Sequence, residues 1–234
     1  METIINAIDQ GDHSTSAMRL LQLVSPSLPI GSFTYSQGLE WAVESMWVNS
    51  QSDLQAWLKD ILQTSITHLE IPLFMRLHAA YVQGNTVMSA YWIDYLLASR
   101  ETAELLTEEH QRGRAFARLL PELGLFMDDE VRQQLQRSQL AGFAYTVAQW
   151  DIEPLSAIQA FIWSWLENLT LVGVKLIPLG QTAGQQIIFQ LSEHVTTAVQ
   201  NGLQLPDEEL GFSCCAQAIA SGLHELQYTR LYRS

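Results

Sequence analysis

The stretch from Pro154 to Ile177 leaves this chain few ways to fold. Ile158, Phe161, Ile162, Trp165, Leu166, Leu169 and Val172 put apolar side chains on nearly every face of one long helix. Such a helix needs neighbours all round, so the pattern predicts a central apolar helix wrapped by others. Glu167, Asn168 and Lys175 interrupt the apolar run between Ala160 and Gly180, which reads as a buried helix rather than a membrane span.

The remaining periodic segments are helical too. Leu54, Trp57, Leu58, Ile61 and Leu62 fall at i, i+3, i+4, i+7 and i+8 behind a Ser52/Gln55 capping box. Met88, Tyr91, Trp92, Tyr95 and Leu96 repeat that pattern. Leu106, His110, Gly113, Ala117 and Leu120 make a third stripe, in which Gly113 is small enough to admit a neighbouring helix. Pro72, Pro121, Pro154, Pro178 and Pro206 are expected at or near breaks, and residues 201–212 read as a loop. No segment alternates with period two, so strands are not expected. The expectation is an all-α, single-domain bundle of about eight to ten helices over residues 1–234, with mobile residues 1–14.

Charge narrows the partners. Acidic residues outnumber basic ones 25 to 12, for a net charge of −13, and the lysines are Lys59 and Lys175. A chain this poor in cations neutralises few phosphates, which argues against nucleic acid and against anionic membranes. The first residues lack the basic and apolar regions of a signal peptide. Cys214 and Cys215 are adjacent, a poor geometry for a disulfide, so reduced thiols and a cytoplasmic location are expected.

Catalytic and metal signatures are sparse. No two of the six histidines have i, i+3 or i+4 spacing. Cys214, Cys215 and His224 are the set that could share a metal, against the commoner reading of cysteine as a small buried hydrophobe. Gly180 and Gly184 lack the lysine and spacing of a phosphate loop; they read as places where helices approach closely, with Gln181 and Gln185 alongside. Glu101, Glu104, Glu108 and Glu109 read as a solvated acidic face ahead of Arg112, Arg114 and Arg118. No nucleophile, base and orienter can be assembled from spacing.

Three segments stand out. Ser25-Pro-Ser-Leu-Pro-Ile-Gly-Ser-Phe-Thr-Tyr-Ser-Gln-Gly-Leu-Glu40 combines rigid Pro26 and Pro29 with permissive Gly31 and Gly38. The Thr34/Gln37 spacing predicts a helix opening there and running through Trp41 toward Met46. Val174-Lys175-Leu-Ile-Pro178-Leu-Gly180-Gln181-Thr182 carries a lone lysine near the end of the apolar helix, placed either to reach solvent or to meet a partner's carboxylate. The chain closes on His224-Glu-Leu-Gln-Tyr228-Thr-Arg230-Leu-Tyr232-Arg233-Ser234. Aromatic residues beside arginines are usual interface anchors, although last residues are commonly frayed.

In this order the three segments resemble the UreF family of urease accessory proteins, and the resemblance covers essentially the whole chain. Tyr232 stands where that family usually has Phe, which keeps the ring and adds a hydroxyl. The resemblance implies an all-helical fold and a binding and relay role without catalysis of its own. It implies partners: a UreD-type (also called UreH) subunit, a UreG-type GTPase and apo-urease, with a homodimer inside the complex. Nickel would be the cargo, while GTP and magnesium belong to the partner GTPase, leaving no cofactor here. It places partner contacts at Pro29, Gly31, Phe33, Tyr35, Ser36, Gln37 and Glu40, then at Lys175, Gly180, Gln181 and Gln185. A docking tail over 224–234 supplies His224, Glu225, Tyr228, Arg230 and Arg233. The alternatives are a stand-alone nickel-binding metallochaperone built on the cysteines and, from a different class, a helical hydrolase or transferase using His110 or His224.

Overall fold

The computed structural model describes residues 15–233, and all regular structure among them is helical. The expectation of an all-α bundle is met; the mobility expected of residues 1–14 falls outside the described residues. After α1 (residues 15–23) and a 3₁₀ turn at Ser32–Thr34 come α2 (Leu39–Glu44) and α3 (Gln51–Ile61). Then follow α4 (Ile71–Val82), α5 (Thr86–Ala98), α6 (Ala103–Glu122), α7 (Asp129–Leu135) and α8 (Gln139–Gln149). The long α9 (Pro154–Leu176) and α10 (Gln181–Leu203) lie side by side, and α11 (Cys215–His224) returns to α2 and α6.

Capping chemistry sets most of the starts. Asn85, Thr102, Asp128 and Ser138 each accept a backbone N–H of the first turn, of α5, α6, α7 and α8 respectively. Glu153 does so for α9, whose first residue is Pro154. The box ahead of α3 is two residues earlier than expected. Ser50, not Ser52, is the cap, and Asp53 answers by accepting the Asn49 N–H at 3.2 Å.

Between α3 and α4 the chain does not break. A nine-residue π-helix, Leu62–Glu70, joins them into one rod. Pro72 therefore sits inside a continuous helix, contrary to the expectation of a break. The wider turn tolerates it: the Ile71 N–H bonds back to the Ile66 carbonyl, and Gly211 N donates to the His68 carbonyl at 3.0 Å. That carbonyl is the one a residue-72 N–H would have taken in an α-helix.

The core forms where this rod meets α8, α9 and α10. Leu58, Ile61, Leu62, Ile71, Leu73, Phe74 and Leu77 are buried along it. Helix α9 is enclosed through its C-terminal half, while Leu155 and Trp163 of its N-terminal half remain exposed. Missing side chains set two close approaches. A Cβ on Gly173 would overlap the Leu54 side chain, and one on Gly184 would lie 2.9 Å from Val174. Gly180 meets nothing within 4 Å and caps the start of α10, so the expected close approach belongs to Gly184 alone. In α5 the buried stripe is Ser89, Trp92, Ile93 and Leu96, one position off the expected one, and Met88 and Tyr91 are exposed. Ser89 is the reason: its hydroxyl donates to buried Gln134 at 2.6 Å, pulling a polar residue inward.

Gly113 meets the α7–α8 turn as the stripe on α6 suggested. A Cβ there would lie 2.7 Å from Leu135 O and Ser138 N, both backbone atoms that cannot rotate away. Gly113→Ala is therefore expected to lower stability by about 1–3 kcal/mol despite alanine's better helix propensity. Urea unfolding checks it, and parental stability in the variant would contradict so close an approach.

Candidate protein-docking site

The 25–40 segment and the tail meet. In the opening segment Gly31 adopts φ 76° ahead of the 3₁₀ turn, and the Thr34 hydroxyl donates to the Gly31 carbonyl at 2.8 Å. Thr34 thus caps nothing, and the helix expected from it begins at Leu39 behind Gly38 at φ 85°. Glycine is required there, because a Cβ would stand 2.6 Å from the Ser221 backbone nitrogen of α11. Gln37, at φ 53°, is one of the non-glycine residues with a left-handed backbone. Its side chain fixes it: Nε2 donates to both oxygens of Glu108 at 3.1 and 3.2 Å, and Oε1 accepts the Trp165 indole N–H at 3.0 Å.

Glu40 is the centre of the junction. It is buried, and the Leu231 N–H donates to its Oε1 at 2.7 Å while the Tyr232 N–H donates to Oε2 at 2.9 Å. His224, with 0 % of its surface exposed, lies between two carboxylates. Its Nε2 is 3.1 Å from Glu40 Oε2 and its Nδ1 2.8 Å from Glu104 Oε2. Glu104 Oε1 then accepts Arg230 Nη1 at 2.8 Å. Arg233 N–H donates to the Thr34 carbonyl at 2.9 Å, and its guanidinium approaches Gln111, which also accepts the Tyr35 hydroxyl at 2.8 Å. Burial, and then Glu108, raise the Tyr35 phenol above its usual range; burial and then Glu40 do the same for Tyr232.

The solvated acidic face expected of Glu101, Glu104, Glu108 and Glu109 is therefore wrong for the three that lie on α6. Glu101 is exposed, but Glu104, Glu108 and Glu109 are buried, each beside an arginine. Glu104, Glu108 and Gln111 follow i, i+4, i+7, so one face of α6 receives the opening segment and the tail. Behind this face Arg100 bridges Glu70 and Glu109, at 2.7 Å to each. Burial would raise Glu109, but Arg100, the Leu140 N–H and the Ser138 hydroxyl outweigh it and hold its carboxyl below the usual range. Glu70 has Arg100 alone, so burial prevails and its carboxyl is pushed up. A cavity of about 80 Å³ separates the groups and is lined by Gln37, Glu70, Arg100, Glu108, Arg112 and Trp165 among others.

The predicted site residues fall into three sets. Tyr35, Ser36, Gln37, Glu40, His224, Glu225, Arg230 and Arg233 are gathered at the junction, with Tyr35, Ser36, Glu40 and His224 buried. Pro29, Phe33 and Tyr228 project into solvent, joined by Leu226 and Leu231; Gly31 lies half-buried in the turn. Lys175, Gly180, Gln181 and Gln185 are exposed around the α9–α10 connection, and no hydrogen bond or ion pair ties them to the junction. The cysteines do not join His224. Cys215 begins α11 and His224 ends it, about 13 Å apart along the axis, while Cys214 is buried with its N–H on the Ser65 hydroxyl. Sequence reasoning missed Glu104, Glu108 and Gln111; their helical spacing, in a chain whose few arginines need counterions, was the available signal.

A family model for UreF matches residues 48–192. The chain belongs to the UreF family. Proteins named urease accessory protein UreF match it nearly end to end. The one from Alcanivorax borkumensis is 46% identical over 231 residues, covering 95% of this chain and 100% of the relative. Those from Pseudomonas entomophila and Enterobacter sp. strain 638 are 46% and 41% identical, over 93% and 95% of this chain and 97% and 100% of their own lengths. In this UreF chain the span matched by the family model holds the α9–α10 motif, while the junction lies largely outside it, built from residues before 48 and after 192 that pack onto α6.

The Arg100 triad yields a stability prediction. Glu109→Gln removes an acceptor of three donors and is expected to cost about 3 kcal/mol; Glu70→Gln should cost less than half as much. Their pH dependences differ in sign. Glu109, depressed in the fold, adds stability that is complete above the unfolded carboxylate pKa and lost as pH falls through the folded value. Glu70, raised in the fold, adds stability that is complete below the unfolded pKa and lost as pH rises through the folded value. On acidification Glu109→Gln should therefore lose less stability than the parent and Glu70→Gln more, read by urea unfolding across a pH series. Parallel profiles for the three proteins would refute the assignment.

Proposed function

We propose that this UreF protein is a non-catalytic binding and relay subunit of urease maturation. In this reading it joins a UreD/UreH-type subunit, recruits and regulates a UreG-type GTPase, and lets that assembly engage apo-urease in the cytoplasm. Nickel passes through as cargo, GTP and magnesium stay with the partner GTPase, and the chain works as a homodimer within the complex. The observation that carries the docking part is the tail. Its backbone is fastened to Glu40 and Thr34, yet Leu226, Tyr228 and Leu231 are 81%, 102% and 79% exposed. Large side chains held out on a fixed backbone lose little freedom on binding, which is how a preorganised surface gains affinity. The separation of the cysteines from His224 along α11 weighs against the stand-alone metallochaperone.

The test follows from where the helices stop. Residues 225–233 contain no α-helix, so deleting 228–234 should abolish capture of the UreD-type subunit while helicity by circular dichroism stays nearly unchanged. A truncated protein that still captures it would overturn the docking assignment. At the α9–α10 corner, Lys175→Ala should reduce urease activation in cells by at least ~5-fold with an unchanged melting temperature, since an exposed lysine contributes within about 0.5 kcal/mol to stability. A loss that tracks a lowered melting temperature would make this lysine structural.

A further inference from the structure

We propose that His224, Glu40 and Glu104 form a clasp that positions the tail, and that this clasp, rather than the outward side chains alone, sets how well the tail is read by a partner. The inference rests on the docking function above and deepens it. The tail between Glu225 and Arg233 has no helix to stiffen it. Its first residues bond back to the last turn of α11, and past Gln227 its backbone N–H groups reach other elements at three described points: Leu231 and Tyr232 on Glu40, and Arg233 on Thr34. Two of the three depend on one carboxylate. That carboxylate sits on α2, and the buried imidazole beside it also grips Glu104 on α6.

The clasp therefore locks α2, α6, α11 and the tail together at one buried point. Arg230 adds a fourth contact on the same Glu104, through the oxygen that His224 leaves free. Leu226 lies just beyond α11, and Tyr228 and Leu231 flank Arg230. With Glu40 in place the outward side chains have a fixed register; without it Leu231 and Tyr232 lose their acceptors, and the contacts from beyond Gln227 to other elements reduce to Arg233 on Thr34 and Gln111 and Arg230 on Glu104, with Glu225 on Glu104 and Gln227 on Glu44 nearer α11. None of the three clasp residues offers a free surface, so each acts through the tail and is a positioning residue.

The experiment uses the full-length chain and two variants, His224→Gln and Glu40→Gln, beside Tyr228→Ala as a contact variant. Hydrogen exchange of the amides in 226–233 should quicken at least ~10-fold in both clasp variants, with α3 and α9 amides unchanged, and stay parental in Tyr228→Ala. Affinity for the purified UreD-type subunit should fall ~10-fold or more in all three. If His224→Gln fails to fold, Glu40→Gln, nearly identical in shape, decides alone. Parental tail exchange in Glu40→Gln overturns the clasp, and so does a released tail that still binds with parental affinity. Both of those outcomes leave the docking function standing provided the 228–234 deletion abolishes capture; capture by the deleted chain defeats the docking function instead.

Discussion

Carboxylates withdrawn from water have to be met by donors, and this fold withdraws Glu40, Glu104, Glu108 and Glu109 together. Most of the donors come from far along the chain. Glu40 takes two backbone N–H groups from more than 190 positions away, and Glu108 takes an amide from Gln37. Glu109 takes Ser138, Leu140 and Arg100. Leaving any of these unmet costs more than an ordinary hydrogen bond gains. The opening segment, α6 and the tail are thus bound to one another by the needs of buried charge, and the hydrophobic core behind them supplies the platform.

How much of this the sequence discloses depends on the range of the interaction. Helices α6 and α9 are legible because their signals are local: a capping side chain, a period of 3.6, a proline at the first position. The Ser50 cap is a near miss, since two serines two apart offer the same chemistry and only the backbone decides between them. The α5 stripe slips by one because Ser89 is buried for the sake of Gln134, forty-five residues on. Local periodicity weighs a serine as polar and sends it outward.

The same reasoning explains the acidic face. Four glutamates near the start of a helix satisfy the helix dipole when solvated, and nothing within the helix shows that three of them face inward. What betrays them is their fit to arginines: Arg112 one turn along the same helix, Arg100 just before it, and Arg230 from 126 residues away, the last a match that a single sequence does not display. The motif resemblance works at a different level from the periodicity here. It grouped Glu40, His224 and Arg230 without saying how they meet, and the structure joins His224 to Glu40 directly and to Arg230 through Glu104.

The π-helical stretch in the central rod bears on the architecture as a whole. A wider turn winds more slowly, so α4 leaves it rotated about the common axis relative to where α3 would have carried it. The upstream half faces α9 and α10, and the downstream half keeps those neighbours while packing mainly on α5 and α8. One unbroken rod therefore shifts its main contacts midway, working like a cam that brings a second layer of helices against the same axis. The loop that tops up the vacated His68 carbonyl keeps that phase angle from relaxing.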